Sequence, residues 1–128
     1  MSLEERRERG LKLIEEMLGE EKAQAALKHW QEICPEFGEY VTEFVAGEIW
    51  SRPGLDRRTK SLVSIGILAG IGRPRALELN IRFALNNGVT RQEITEALFQ
   101  VAVYAGFPAC WEALAAAANV FEEAEDNE

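Results

Sequence analysis

The sequence predicts an all-α domain built from about seven helices. Apolar residues recur three and four positions apart along most of the chain, which is the spacing of one face of an α-helix. Capping and turn residues interrupt this pattern at short intervals, and no segment reads as a β-strand. The length of 128 residues fits one ordinary domain, so residues 1–128 are expected to form a single helical bundle.

The first three helices are delimited by capping residues and by proline. Ser2 and Glu5 have the spacing of a capping box, and Gly19 is expected to end the helix that they begin. Pro35 disfavours helix in the residue before it and suits the first turn of the next helix. The expected helices cover about residues 3–18 and 20–33 and continue from residue 35. The third carries large apolar residues at helical spacing: Phe37, Tyr40, Val41, Phe44, Val45 and Ile49.

The other four helices follow the break "SRPGLD" at residues 51–56. Asp56 is placed to cap the fourth helix, and Thr90 with Glu93 forms a capping box for the sixth. Gly88 supplies the left-handed residue expected after the fifth. The expected ranges are about 57–71, 74–87, 91–105 and 108–124. Helices four to six are apolar on more than one face, which predicts an oligomer that buries the second face.

Composition and charge exclude several classes of protein. A formal net charge of −8 without a basic tract argues against nucleic acid or an anionic membrane as partner. No segment reaches the roughly 20 apolar residues needed to cross a bilayer, and the N-terminal residues lack the apolar core of a secretory signal. Two cysteines do not make a disulfide framework. We therefore expect a cytoplasmic protein.

Metal and thiol chemistry find little support in the residue pattern. His29 is the only histidine, and no ligand set with the spacing of a zinc site is present, so no metal is expected. Ser/His/Asp catalysis would have only His29 to use. Cys34 and Cys110 are lone residues rather than a C-x-x-C pair, and a small buried residue is the ordinary role of free cysteine.

Four polar residues stand out because their surroundings are apolar: Glu48, Ser61, Asn80 and Tyr104. Asn80 lies in the middle of the fifth helix, where an amide is a mediocre helix former and needs partners when it is buried. We expect it to be at least partly buried and to hydrogen-bond either another helix, across an oligomer interface, or a ligand.

Three stretches resemble the carboxymuconolactone decarboxylase family: "RPGLDRRTKSL", "ALNNGVTRQEI" and "VAVYAGFPA". The resemblance covers about residues 35–122. It implies an alkylhydroperoxidase D-like all-α fold that assembles into homotrimers or homohexamers. In the peroxidase branch of the family the C-x-x-C cysteines would fall at Arg73 and Ala76, so that reacting pair is absent here. Ser61 and Tyr104, the latter in a Y-x-G-x-P-A motif, fit the decarboxylase branch.

The resemblance implies a cofactor-free lyase that acts on a small carboxylated lactone or a related product of aromatic degradation. The electrons released with carbon dioxide spread toward the lactone carbonyl, so the protein must bind carboxylates, stabilise an oxyanion and deliver a proton. Asn80 stands where that branch usually has histidine, and an amide donates and accepts hydrogen bonds but does not relay a proton. Asn80 and Tyr104 are therefore expected to donate to the oxyanion, with Glu48 or Tyr104 delivering the proton.

The remaining site assignments concern groups near the third and fourth helices. Glu48 lies beside Trp50, and an acid held against an aromatic ring can remain protonated at higher pH. Arg52 and Arg58 are candidate anchors for a substrate carboxylate, or else surface ion-pair partners. Ser61 and Trp50 complete the expected substrate-binding set. The alternatives to a lyase are a non-catalytic oligomer of the same family and, less favoured, a peroxidase.

Overall fold

The computed structural model describes residues 1–126, and within that range the chain is helical and contains no strand. The all-α prediction is confirmed. The α-helices of this range are, in chain order, α1 Leu3–Leu18, α2 Glu20–Ile33, α3 Pro35–Tyr40, α4 Arg57–Gly70, α5 Pro74–Asn86, α6 Arg91–Ala105 and α7 Phe107–Asp126. A π-helical segment, Val41–Trp50, directly continues α3. None of these helices is long and apolar enough to span a membrane.

Helix boundaries agree with the capping signals because caps are local interactions. Ser2 and Glu5 form both hydrogen bonds of the capping box at the start of α1, and Thr90 and Glu93 do the same at α6. Gly88 has a φ of 87°, the conformation expected after the end of α5. Each helix start or end lies within about two residues of its predicted position.

Residues 1–55 form one compact unit, which contains α1, α2, α3 and the π-helical segment. In this unit α1 packs directly against the π-helical segment. A Cβ added to Gly10 would stand 1.8 Å from the carbonyl oxygen of Thr42, and one added to Gly47 would stand 2.2 Å from that of Arg6. Glycine is therefore required at both positions, since any side chain would push the two backbones apart.

The third predicted helix differs from expectation in geometry and in the face that it buries. From Val41 the backbone adopts the wider π-helical turn, and the buried side chains are small or polar: Gly38, Thr42, Glu43, Ala46 and Gly47. The large residues of the predicted apolar face are exposed instead: Phe37, Tyr40, Phe44, Val45 and Ile49. The reason is the close approach of α1, which admits only small side chains.

The residues from Asp56 onward form a second compact unit, made of α4 to α7. Its core is one contiguous cluster with contributions from all four helices, including Ile65, Leu77, Ile81 and Leu98. The contribution of α7 is mostly alanine, namely Ala113, Ala116 and Ala117. Such small side chains let a helix lie close to its neighbours, which fixes α4 and α5 in position for the residues discussed below. That residues 1–128 form a single domain stays a prediction, given this division into two units.

Candidate active site

Asn80 is half-buried on α5, as expected, and its amide is already engaged. Its Nδ2 donates to the carbonyl oxygen of Ala76 at 2.8 Å, one turn earlier in the same helix. This partner differs from the predicted one, another helix or a ligand, because a short amide side chain reaches the backbone of its own preceding turn. An NH₂ group carries two hydrogens, so one donor of Asn80 remains for a ligand.

Asn87 directly follows the last residue of α5 and links this helix to α4. Its Nδ2 donates to the hydroxyl of Ser61 at 3.1 Å, and that hydroxyl donates to the carbonyl oxygen of Arg57 at 2.8 Å. The Ser61 side chain is completely buried. Ser61 therefore joins two helices, and the substrate-binding role predicted for it would require this contact to open.

Tyr104 is near the end of α6 and is 85% exposed. It lines an open groove of about 360 Å³ whose residues all come from α4 and α6: Leu62, Gly66, Gly70, Ala97, Gln100, Val101, Tyr104 and Ala105. On α4, Leu62 and Gly66 lie about 100–140° around the helix from Ser61. The groove is therefore on a different side of α4 from the contact with α5, the helix that carries Asn80.

Arg58 and Asp56 organise the start of α4. Arg58 forms an ion pair with Glu93, the same residue that closes the capping box of α6. Asp56 accepts a hydrogen bond of 2.7 Å from the backbone N–H of Thr59. This bond, with a weaker contribution from the Thr59 side chain, lowers the pKa of the Asp56 carboxyl. The Arg58 guanidinium is thus paired within the protein. This is the role of a surface ion-pair partner, which the sequence left open for Arg58 beside that of a substrate anchor.

In the first unit, Glu48 is surrounded by two guanidinium groups. Its carboxylate lies 3.3 Å from Arg6 Nε and 4.0 Å from Arg52 Nη1. Arg6 Nε is buried and its contact with Glu48 lacks hydrogen-bond geometry, so the interaction is a charge pair only. Trp50, two residues after Glu48, is half-buried.

Glu43 is a buried acid that the residue pattern did not single out. Its side chain is almost completely buried, and its Oε1 accepts hydrogen bonds from Arg7 Nη2 at 2.6 Å and Arg7 Nε at 3.1 Å. These bonds raise the pKa of Arg7. No local sequence signal marked Glu43, since its partner Arg7 lies 36 residues earlier in the chain, on α1.

The second feature missed from the sequence is a cavity of about 410 Å³ in the second unit. It lies where α4 ends, α5 begins and α7 passes, and it is lined by Arg73, Leu77, Glu112, Ala113 and further apolar residues. The sequence contained a signal for the positive charge at this cavity. Six of the fourteen Lys and Arg residues fall between Arg52 and Arg75, an interval short of acids that includes Arg73.

The cysteines and the histidine occupy ordinary positions. Cys110 is buried in the first turn of α7, and Cys34 donates from its Sγ to Glu36 at 3.1 Å. His29 is exposed on α2. Within residues 1–126, no three His, Cys, Asp or Glu side chains are grouped so as to hold a metal ion.

Comparison with known proteins identifies a family, and the relatives of the chain include two decarboxylases. Residues 35–119 match the model of the carboxymuconolactone decarboxylase family. The chain is 38% identical to 4-carboxymuconolactone decarboxylase of Acinetobacter baylyi, over 96% of this chain and 92% of that protein. It is 41% identical to nitrosuccinic acid decarboxylase of Metarhizium robertsii, over 82% of this chain and 73% of that protein.

Proposed function

The chain belongs to the carboxymuconolactone decarboxylase family, and we propose that it is a carboxy-lyase acting on a small, activated dicarboxylic acid. The observation that carries this proposal is its similarity, over most of its length, to two decarboxylases with different substrates. What those two substrates have in common defines the class of substrate better than either name alone.

The two acids share a chemical core. In each, the departing carboxylate is on a carbon that also carries a carboxymethyl group and is joined to a group that accepts electrons onto oxygen. That group is the unsaturated lactone in 4-carboxymuconolactone and the nitro group in nitrosuccinic acid. Each is therefore a substituted succinate, with one carboxylate that leaves and one that stays.

The reaction balances without an external electron acceptor. The bond between the carbon and the departing carboxylate breaks, carbon dioxide leaves, and the electron pair moves onto an oxygen of the lactone or the nitro group. A proton then adds to carbon and restores the neutral lactone or nitro compound. The enzyme must lower the energy of the oxyanion, for which fixed hydrogen-bond donors are the usual means.

Asn80 is the residue to which we assign the oxyanion donor. It is half-buried, its orientation is fixed by the bond to the Ala76 carbonyl oxygen, and its second N–H remains available. Tyr104 as a further donor and Glu48 as the proton donor are additional proposals. So are the substrate-binding roles of Arg52, Arg58, Ser61 and Trp50.

A non-catalytic oligomer is the second candidate, favoured by one specific observation. Several of the predicted site residues are engaged within the protein: Ser61 by Asn87 and Arg57, Arg58 by Glu93, and Glu48 by Arg6 and Arg52. Contacts of this kind also suit a scaffold that has kept the family fold without the histidine at position 80.

We further propose that the chain forms homotrimers or homohexamers. The second unit exposes eight large apolar side chains, amounting to roughly 1,000 Å² by ordinary side-chain areas, which exceeds the ~800 Å² that each partner buries in a standard interface. The same surface offers projecting aromatic rings and the glycine-lined groove, so two copies can complement each other. The exposed residues are Val63, Ile67, Ile71, Phe99, Val103, Tyr104, Phe107 and Trp111.

The decisive experiment measures carbon dioxide released from 4-carboxymuconolactone and from nitrosuccinic acid. Wild-type protein is expected to release it from at least one of them, and Asn80→Ala to lower the rate by about 10²–10³-fold, the usual effect of removing one oxyanion donor. Asn80→His restores the residue usual in this branch and is expected to raise activity on 4-carboxymuconolactone. A folded wild-type protein that is inactive on both acids, with Asn80→Ala changing only its melting temperature, would favour the scaffold.

A further inference from the structure

The cavity of about 410 Å³ at the start of α5 combines an apolar wall with two charged side chains. Its apolar residues come from three helices and include Leu68, Ala69, Leu77, Ala109 and Ala113. The charged residues are Arg73, directly before α5, and Glu112, on α7. A volume of a few hundred cubic ångströms is typical of small-molecule sites.

Arg73 differs from most arginines of this chain in that its side chain has no partner within residues 1–126. Seven of the ten arginines form an ion pair or hydrogen bond with their guanidinium groups, and Arg57 also has an interaction within the protein. The seven are Arg6, Arg7, Arg9, Arg52, Arg58, Arg82 and Arg91. Among residues 1–126, Arg73 and Arg75 make no hydrogen bond or ion pair with their side chains. The chain holds 22 acids against 14 bases, so there are more than enough carboxylates to pair with every guanidinium group. An unpaired guanidinium beside an apolar cavity is therefore unexpected.

We propose that Arg73 binds the carboxylate of a small organic acid whose carbon skeleton occupies this cavity. A guanidinium holds a carboxylate by two parallel hydrogen bonds, and the apolar wall removes the skeleton from water. Arg52 and Arg58, the anchors expected from the sequence, are less suited to this role because both lie in ion pairs.

This inference rests on the proposed function in one respect, the identity of the acid. For a substituted succinate, Arg73 binds the carboxylate that stays. The other carboxylate, the one that leaves, is repelled by Glu112 when the two lie close together. That repulsion ends when this carboxylate departs as neutral carbon dioxide. Arg73 is seven residues before Asn80, about 10 Å along the axis of α5. The Asn80 amide bonds to Ala76, one turn closer to Arg73.

Arg75 provides a matched control for Arg73. Both arginines are exposed, both lack a partner among residues 1–126, and they are two positions apart, but only Arg73 lines the cavity. Arg73→Ala and Arg75→Ala therefore remove the same charge from the same region. Arg73→Lys keeps the charge without the two-pronged geometry.

The first test uses succinate, which keeps both carboxylates and cannot react, with calorimetric titration as the readout. Wild type and Arg75→Ala are expected to bind it equally, Arg73→Ala about 10- to 100-fold more weakly, and Arg73→Lys in between. Ala109→Leu, which narrows the cavity without altering charge, is expected to weaken binding as well, whereas the exposed Ala118→Leu is not. Equal affinities for Arg73→Ala and Arg75→Ala, or no binding by wild type at millimolar succinate, would overturn the proposal.

The second test separates this proposal from the proposed function. If wild type decarboxylates either acid, Arg73→Ala should raise KM at least tenfold with kcat within about threefold, since the interaction is made with the bound substrate and the transition state alike. Unchanged KM would refute the role of Arg73 and leave the decarboxylase intact. Arg73-dependent binding of succinate without release of carbon dioxide would refute the decarboxylase and support the anion site.

Discussion

The Asn87 carboxamide donates to the buried hydroxyl of Ser61 at 3.1 Å and so joins α5 to α4. The Ser61 hydroxyl passes its own hydrogen to the Arg57 carbonyl oxygen, so both its donor and one acceptor position are used. These two bonds link the end of α5, the helix that carries Asn80, to the first turn of α4, where Arg58 lies.

Ser61→Ala is expected to lower the free energy of unfolding by about 1–2 kcal/mol, because the substitution leaves the Asn87 amide without its acceptor. The effect is measured by urea denaturation, with the half-buried Ser64→Ala on the same helix as control. If Ser61→Ala instead leaves stability unchanged but abolishes turnover, the hydroxyl serves the substrate and not the helix contact.

Gly10→Ala is expected to destabilise the first unit by about 3 kcal/mol, the upper end of the usual cost of overpacking, since its Cβ would lie 1.8 Å from the Thr42 carbonyl oxygen. Backbone must move to relieve this contact. Gly54→Ala is the control, because it lies in the same unit and its Cβ would meet no atom within 4 Å. Thermal denaturation in which the two variants behave alike would contradict the close approach of α1 to the π-helical segment.

The Asp56 cap predicts a pH-dependent contribution to stability. The pKa of Asp56 is lowered in the folded state, so the unfolded chain binds a proton more readily and stability due to this carboxylate is lost as the pH falls. The stabilisation by the Asp56 carboxylate is complete above the ordinary aspartate pKa of about 3.9. It is lost as the pH falls below that value toward the lowered pKa of the folded state. The difference in melting temperature between wild type and Asp56→Ala should therefore be larger at neutral pH than near pH 3.

Asp56→Asn serves as the control for this pH effect. Asparagine also caps helices but does not titrate, so its difference from Asp56→Ala should not fall with pH in the same way. A wild-type advantage over Asp56→Ala that persists undiminished at low pH would show that the carboxylate charge is not responsible.

The exposed apolar surface of the second unit predicts self-association. Light scattering should give a mass at least three times the 14.4 kDa of one chain. Replacing Trp111, which is 75% exposed, with glutamate should dissociate the assembly because a charge would be buried without a partner. Gln92→Glu, at an exposed polar position on α6, adds the same charge elsewhere and should leave the mass unchanged. A monomer mass for wild type at micromolar concentration would refute the oligomer.

Much of the fold could be predicted because its signals are local. The Ser2 and Thr90 capping boxes, the Asp56 cap and the left-handed Gly88 each depend on residues within one helical turn of each other. The half-burial of Asn80 followed from helical spacing, and the burial of Cys110 from the ordinary behaviour of free cysteine. The family could be predicted for a similar reason, since its motifs are short continuous stretches, and the match over residues 35–119 confirms it.

Sequence by itself thus determined the helices, their limits and the family, all of which depend on neighbours along the chain. Only the tertiary structure decided which face of the third helix is buried, because the close approach of Gly10 on α1 to Thr42 and Gly47 buries the face with the small residues. It also decided which arginines are neutralised. A guanidinium finds its acceptor across space, as Arg7 does with Glu43 and Arg58 with Glu93, so the unpaired state of Arg73 is visible only when the helices are packed.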